Sequence, residues 1–416
     1  MKFFHVGDLH FGKLLHNVPL IEKDQPYWVE QFLKAVDEHD PDAIVIAGDV
    51  YDRKVPSPEA MQLFDHMITE LSKRDKYVFV IPGNHDSAVR LSHVNELLAA
   101  HKIYVSGEVQ RDFVHVTIPS DTGEVTFWLM PYIFPKIVSD EKVLNQPELT
   151  TYDTAARALL EAQNIDRTAC NILVAHQNVL ANGLAPEHSA SETIIGGIGE
   201  IDYSVFDAFD YVALGHIHNA QKVGRDTIRY SGCPLYYDFS EINRNKGLTV
   251  VTVQSKSDIT VEQIDIPLLH RLHQESGTLE ELLKAGADLD HKEQYYVQCV
   301  LKGKHVPPRA SEQLREVYGD SLVNVKRDLS ESVSSGTFSE HTANESSLSL
   351  EEQFGLFFQQ QQNELLDGDQ EELIRRILEQ QSRQGSDYIL DAKAVPETDS
   401  RELIDYLLES VMEGNE

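Results

Sequence analysis

Apolar runs that stop at small polar clusters limit what this chain can fold into more than any other feature of its sequence. Tyr77-Val78-Phe79-Val80-Ile81 is β-branched and aromatic and reads as a buried strand, which Pro82 and Gly83 terminate. Asn84, His85 and Asp86 then fall on the loop at its C-terminal edge. The pattern repeats: residues 2–6 lead into Asp8-Leu9-His10, residues 42–47 into Gly48-Asp49-Val50-Tyr51-Asp52, residues 171–175 into His176, and residues 211–214 into Gly215-His216-Ile217-His218. Open α/β sheets build their sites outside the carboxyl ends of their strands. Any one cluster is explained as well by a polar turn, since Asn and Asp favour turns. Five on one edge are not.

Between these runs the spacing predicts helices over about 26–38, 57–74, 91–100 and 152–164. The second carries Ser57 as N-cap, Pro58 at N1 and one stripe of Met61, Phe64, Met67, Ile68 and Leu71. Strand and helix alternating through short connections predict a layered α/β sheet. From 105 to 131 the pattern changes to shorter strands with a hairpin turn near 120–123, and strands near 228–231 and 248–253 are expected to complete a second sheet. Residues 266–327 read as a separate small α/β domain, opened by the capping box Thr278-Leu279-Glu280-Glu281. Residues 328–347 are Ser-, Thr-, Glu- and Asn-rich and read as a flexible linker. Residues 348–416 carry apolar stripes on acidic helices (Leu350, Phe354 and Phe357 among them), which suits docking on a partner.

Charge restricts the partners. The 416 residues hold 68 acids against 36 Lys and Arg, a formal −32, and 346–416 contribute −12 of it. A body and tail both acidic repel a polyanion, which argues against a stand-alone nucleic-acid binder, and any positive charge such a ligand needs is expected to come from bound cations or from a partner chain. No apolar run approaches a membrane span, and the start of the chain meets Asp8 too early for a signal peptide. Cys170, Cys233 and Cys299 are too dispersed for a disulfide framework or a zinc knuckle, and a reducing cytoplasm is the expected location.

The five strand ends gather Asp8, His10, Asp49, Asn84, His176, His216 and His218 as candidate metal ligands. Mixed imidazole, carboxylate and amide oxygen suits Mn²⁺, Fe²⁺ or Zn²⁺ better than Ca²⁺ or Mg²⁺. A carboxylate such as Asp49 can bridge two ions at roughly 3.5–4 Å, the spacing used for displacement at phosphorus. The departing alkoxide needs a proton, and His85 is the candidate donor, with Asp86 or Asp52 expected to hold its other nitrogen.

Taken together, Gly7-Asp8-Leu9-His10, Gly48-Asp49-Val50-Tyr51-Asp52, Gly83-Asn84-His85-Asp86, Ala175-His176 and Gly215-His216-Ile217-His218 resemble the five motifs of calcineurin-like metallophosphoesterases. Residues 213–221 and 230–235 are similar to its DNA-nuclease branch. Lys54 and Asp86, where the phosphatase pattern has Gly and Glu, favour that branch. The resemblance implies an α/β/β/α two-sheet sandwich over 1–265 with a capping domain that helps direct DNA. It implies one ion on Asp8, His10, Asp49 and His218 and a second on Asp49, Asn84, His176 and His216, with His85 as proton donor. Further implications are Mn²⁺-dependent 3′→5′ exonuclease and endonuclease activity on DNA ends and hairpins, an SMC-like ATPase partner bound through the C-terminal helices, a homodimer within a heterotetramer, and a nucleoid-associated location. A phosphatase or phosphodiesterase with a non-DNA substrate shares the chemistry and is the alternative, and a scaffold with a degenerate site is disfavoured because every proposed ligand is present.

Overall fold

The computed structural model describes residues 1–121, 123–181, 183–192, 199–303 and 309–328. The linker expected over 328–347, apart from its first residue, and the acidic helices expected over 348–416 lie outside them. In chain order, β1 (Lys2–Val6), α1 (Asp24–His39), β2 (Ala43–Ala47), α2 (Pro58–Lys73), β3 (Tyr77–Ile81) and β4 (Ile103–Val105) alternate as the sequence predicts. Then come β5 (Val114–Ser120), β6 (Gly123–Met130), α3 (Tyr152–Glu161), β7 (Cys170–His176), β8 (Tyr211–Gly215), β9 (Gln221–Val223) and β10 (Arg225–Tyr230). The hairpin β11 (Gly247–Ser255) and β12 (Asp258–Asp265) precedes a last group of β13 (Arg271–Gly277), α4 (Leu279–Asp288), β14 (Tyr295–Leu301), α5 (Ala310–Tyr318) and β15 (Leu322–Arg327).

Two six-stranded sheets result, in the orders β12-β11-β1-β2-β3-β4 and β9-β10-β8-β7-β6-β5, with a three-stranded parallel sheet β13-β14-β15 beside them. The sequence pattern puts the strand at 248–253 in the second sheet, and the structure corrects this. It pairs antiparallel with β1, Phe4 opposite Val250, and covers what would otherwise be an open edge of the first sheet. The helix expected at 91–100 is two short pieces, Ala88–Leu91 and Asn95–Ala99, because Val94 takes a left-handed conformation (φ 59°) between them.

Side-chain alternation assigns the layers. Phe3, Val45, Phe79 and Ile81 of the first sheet meet Phe127, Leu129, Ile172, Val174 and Tyr211 of the second in one buried stratum, where Phe79 stacks on Phe127 at 4.3 Å. The neighbours in register, Phe4, Ile44, Ile46, Val78 and Val80, turn the other way and pack under Trp28, Phe32, Leu33, Met67 and Leu71 of α1 and α2. Leu173, Val212 and Leu214 do the same under Ala155, Ala156 and Leu159 of α3. The architecture is therefore the α/β/β/α sandwich. The caps read from sequence form as expected: Ser57 accepts the Ala60 N–H, and Thr278 and Glu281 cap α4 reciprocally. The small sheet buries its own core of Leu282, Val297, Cys299, Leu314 and Tyr318 and joins the body at Asp24, which takes hydrogen bonds from Tyr296 Oη (2.5 Å) and His270 Nδ1 (2.8 Å).

Candidate metal centre

The parallel strands β1, β2, β3, β7 and β8 are central in their sheets, and their C-terminal ends lie on one edge of the sandwich. The chain turns sharply as it leaves them. Asp8 (φ 54°), His10 (φ 43°), Asp49 (φ 49°) and His216 (φ 102°) all take the left-handed backbone region that residues with a Cβ avoid. Four of seven candidate ligands thus sit on strained backbone that the surrounding fold must hold.

The first sheet supplies Asp8, His10, Asp49 and Asn84, and the second supplies His176, His216 and His218. Asp8 joins the two by accepting the His216 backbone N–H at 2.9 and 3.1 Å on its two oxygens. Asp49 lies between two imidazoles, its Oδ2 at 3.6 Å from His10 Nε2 and 3.3 Å from His176 Nε2. Asn84 Oδ1 is 3.1 Å from both His176 Nε2 and His216 Nδ1. On the other side Asp8, His10 and His218 converge, each with a ligand atom within 4.8 Å of the others, as do Asp8, Asp49 and His176. The seven candidates thus form two overlapping clusters, with Asp49 positioned between them.

The donors fit divalent ions. His10 is 1 % exposed and neither ring nitrogen has a hydrogen-bond partner. Burying an imidazole that way is unfavourable unless a cation takes its lone pair. His176 Nδ1 donates to the Ala47 carbonyl at 2.7 Å, which fixes the tautomer and leaves Nε2 turned inward. Two glycines beside the ligands cannot be larger: a Cβ on Gly83 would collide with the Asp49 carboxylate and one on Gly48 with the His176 ring.

Electrostatics agree with a site built for cations. Burial pushes His10 down to about 4 and His216 to about 3, so both are neutral donors. Burial opposes charge on His176 too, but the Asp49 carboxylate outweighs it and holds His176 up at about 9. Against its own burial, the same pair keeps Asp49 well below the usual carboxylate range, while burial drives Asp8 upward.

His85 is half-buried, its ring 4.8 Å from that of His10, and its Nδ1 donates to the Asp52 backbone carbonyl at 2.8 Å. Of the two residues expected to hold this nitrogen, Asp52 does so, through its main-chain carbonyl, and Asp86 does not. The Asp52 carboxylate is taken by Lys13 Nζ (2.9 Å) and lies 3.5 Å from His10 Nδ1. The Asp86 carboxylate is buried and accepts three backbone N–H groups, from Gly83, Val50 and Tyr51. Asp86 ties the β2 and β3 loops together and does not face His85. Of the basic side chains on the loops that follow these strands, Lys13 is engaged inside the protein, Arg53 reaches Asp52 only at 3.8 Å, and Arg53, Lys54 and Arg90 are exposed.

Sequence reasoning missed a group behind His218. Ser191, Glu192, Glu241 and Lys246 surround it, and Tyr237 Oη donates to the Leu9 carbonyl at 2.6 Å with its ring 5.5 Å from those of His10 and His218. None directly follows the C-terminal end of a strand, and in sequence Glu241 is one acid in a chain full of them.

A two-sheet sandwich with such a centre defines a class, and the comparisons agree. Residues 1–220 match the calcineurin-like phosphoesterase family, and the chain belongs to that family. Residues 269–362 match the type 5 capsule protein repressor C-terminal domain. The SbcD subunit of the SbcCD nuclease of Staphylococcus epidermidis is 30% identical over 339 residues, 80% of this chain and 88% of that protein. Among solved structures, TT1561 of Thermus thermophilus (12% identical, 63% of this chain and 98% of that one, TM-score 0.37) and a dimetal phosphatase of Danio rerio (11%, 64% and 98%, TM-score 0.39) are similar. The assignment rests on the sequence matches.

Proposed function

We propose that this chain is the nuclease subunit of a complex that processes DNA ends, an Mn²⁺-dependent 3′→5′ double-strand exonuclease and structure-specific endonuclease acting on ends and hairpins in repair and recombination. The observation that carries the reading is Asp49 held between His10 and His176, with Asp8, Asn84, His216 and His218 closing around them. In it, Asp8, His10, Asp49 and His218 hold one ion, and Asp49, Asn84, His176 and His216 the other. Two such ions would supply Lewis-acid charge on a phosphodiester and a nucleophile at neutral pH. The chain's own residues do the rest. The Ala47 carbonyl orients the His176 ring, Asp8 locks β1 to β8, and His85 stands beside His10 with its Nδ1 proton held by the Asp52 carbonyl, so that in its doubly protonated form Nε2 gives its proton to the leaving oxygen and the ring is left neutral. The similarity to the SbcD subunit of the SbcCD nuclease supports the choice of DNA as substrate and of an SbcC-like ATPase as partner. That partner, bound through the acidic segment 348–416 whose sequence pattern is helical, supplies the DNA affinity a chain of charge −32 lacks. The complex is a heterotetramer on a homodimer of this chain, cytoplasmic and nucleoid-associated. Among the described residues no helix is long and apolar enough to cross a membrane.

The test is digestion of end-labelled linear duplex DNA with Mn²⁺, Mg²⁺ or EDTA, beside Asp49→Ala. Mn²⁺-dependent shortening that the variant lacks is expected, and the label gives the polarity. Mn²⁺-dependent hydrolysis of an aryl phosphodiester with no digestion of DNA, even with the partner ATPase added, would favour a phosphodiesterase with another substrate.

A further inference from the structure

We propose that Glu241, acting through the hydroxyl of Ser191, fixes the ring proton of His218 on Nδ1 and so presents Nε2 to the metal. Glu241 and Ser191 are positioning residues, and their role rests on His218 being a ligand. Glu241 is 0 % exposed, in the turn Phe239–Glu241. A carboxylate so far from water needs a cation, and Lys246 Nζ stands 2.7 Å from Oε2. That ammonium also reaches Cys233 Sγ (2.9 Å) and the His218 carbonyl (3.4 Å). Cys233, Glu241 and His218 converge as metal ligands would, but the ammonium is already the cation among them. The buried ammonium of Lys246, in direct contact with Oε2, is the countercharge that keeps Glu241 a carboxylate.

An ionised carboxylate only accepts hydrogen bonds. Ser191 Oγ lies 2.7 Å from Glu241 Oε1, which can only accept, so the serine hydrogen is committed there and Ser189 Oγ, 2.6 Å away, donates to Ser191. Ser191 Oγ is also 2.6 Å from His218 Nδ1 and, with its hydrogen used, can only accept from that nitrogen. Nδ1 therefore carries the ring proton and Nε2 is bare. The direct distance from Glu241 Oε1 to His218 Nδ1 is 3.7 Å, too long for a hydrogen bond, so the serine is a necessary bridge. The backbone of His218 is held as firmly: Glu192 Oε1 accepts its N–H at 2.7 Å, and the Cys233 N–H (3.1 Å) binds its carbonyl. Groups that orient a metal-binding histidine commonly affect metal affinity by roughly tenfold to a hundredfold.

Ser191→Ala is the test, because it leaves the Glu241–Lys246 pair intact. Mn²⁺ binding to the purified full chain is measured by calorimetry and electron paramagnetic resonance. Affinity for one of two ions is expected to fall roughly tenfold to a hundredfold, with the other nearly unchanged and Ser191→Thr restoring it. Long-range ¹H–¹⁵N spectra of ¹⁵N-histidine-labelled, metal-free protein should show His218 as the Nδ1–H tautomer and as a mixture in Ser191→Ala. Two ions bound by Ser191→Ala with wild-type affinity, or a lowered melting temperature alone, would overturn the inference and leave the two-ion reading standing. A wild-type chain that takes up fewer than two Mn²⁺ ions would overturn both.

Discussion

His85 Nδ1 donates to the main-chain carbonyl of Asp52, 2.8 Å away, and not to a carboxylate. A neutral carbonyl fixes the tautomer without adding a charge to the ring, and no side-chain substitution removes it. His85 can therefore be tested alone. His85→Ala should keep both Mn²⁺ affinities and lose about two orders of magnitude or more in turnover of DNA or an aryl phosphodiester. Wild-type turnover in that variant would remove His85 from the chemistry.

Asp52 should behave differently from His85. Its carboxylate pairs with Lys13 and flanks His10, and those neighbours hold it below the usual carboxylate range against its partial burial. Asp52→Asn preserves the carbonyl that holds His85. It should weaken Mn²⁺ binding while leaving the rate at saturating metal within a few-fold of wild type, as metal titrations of the rate would show.

Gly83→Ala should damage the site without touching a ligand. The added methyl would run into the carboxylate and backbone nitrogen of Asp49. Displacing the residue between the two clusters should lower hydrolysis on the order of a hundredfold, together with Mn²⁺ affinity. Unchanged calorimetric binding would show that Asp49 is not where the ions are held.

His5 supplies a pH signature. It is fully buried between Tyr211 Oη (3.0 Å) and the Leu214 carbonyl (3.1 Å), and burial lowers it from 6.5 to about 3. Between those values the unfolded chain binds a proton that the folded one refuses. Stability from the neutral ring is thus complete above pH 6.5 and lost as pH falls towards 3, about 2 kcal/mol of it by pH 5. Urea unfolding of His5→Gln at pH 7.5 and pH 5 should show a slope shallower than wild type by about that amount, and an identical slope would refute the assignment.

Asp24 is the joint between the sandwich and the small sheet. Asp24→Ala leaves Tyr296 Oη and His270 without their shared acceptor, a loss of about 2 kcal/mol or more. Faster limited proteolysis between β12 and β13 is the expected readout, with β1–β3 still protected.

The sandwich and its ligand edge were legible because they rest on local signals, a hydrophobic run ended by Pro or Gly and a polar cluster after it. Asp8, His10, Asp49, Asn84, His176, His216 and His218 come together as those signals imply. What was illegible depends on pairings distant in sequence. The β11 strand looks like any other until its register with β1 is known. Asp86 looks like a partner for the neighbouring His85 because adjacency suggests it, yet its carboxylate turns to three backbone groups. Ser191 and Glu241 reach His218 from separate turns, and no spacing rule links them. The left-handed backbone at Val94 that splits one helix into two has no glycine to announce it.

The centre draws four side chains from one sheet and three from the other, across a seam whose filling is Phe3, Phe79, Phe127 and Tyr211. Under the two-ion proposal it is a clasp as well as a reaction site. Sliding one layer over the other by a single residue pair, about 7 Å, would dissolve both ligand sets at once. An occupied centre reports that the layers are in register, and repacking the aromatic filling far from the edge would be felt first as a loosened grip on metal.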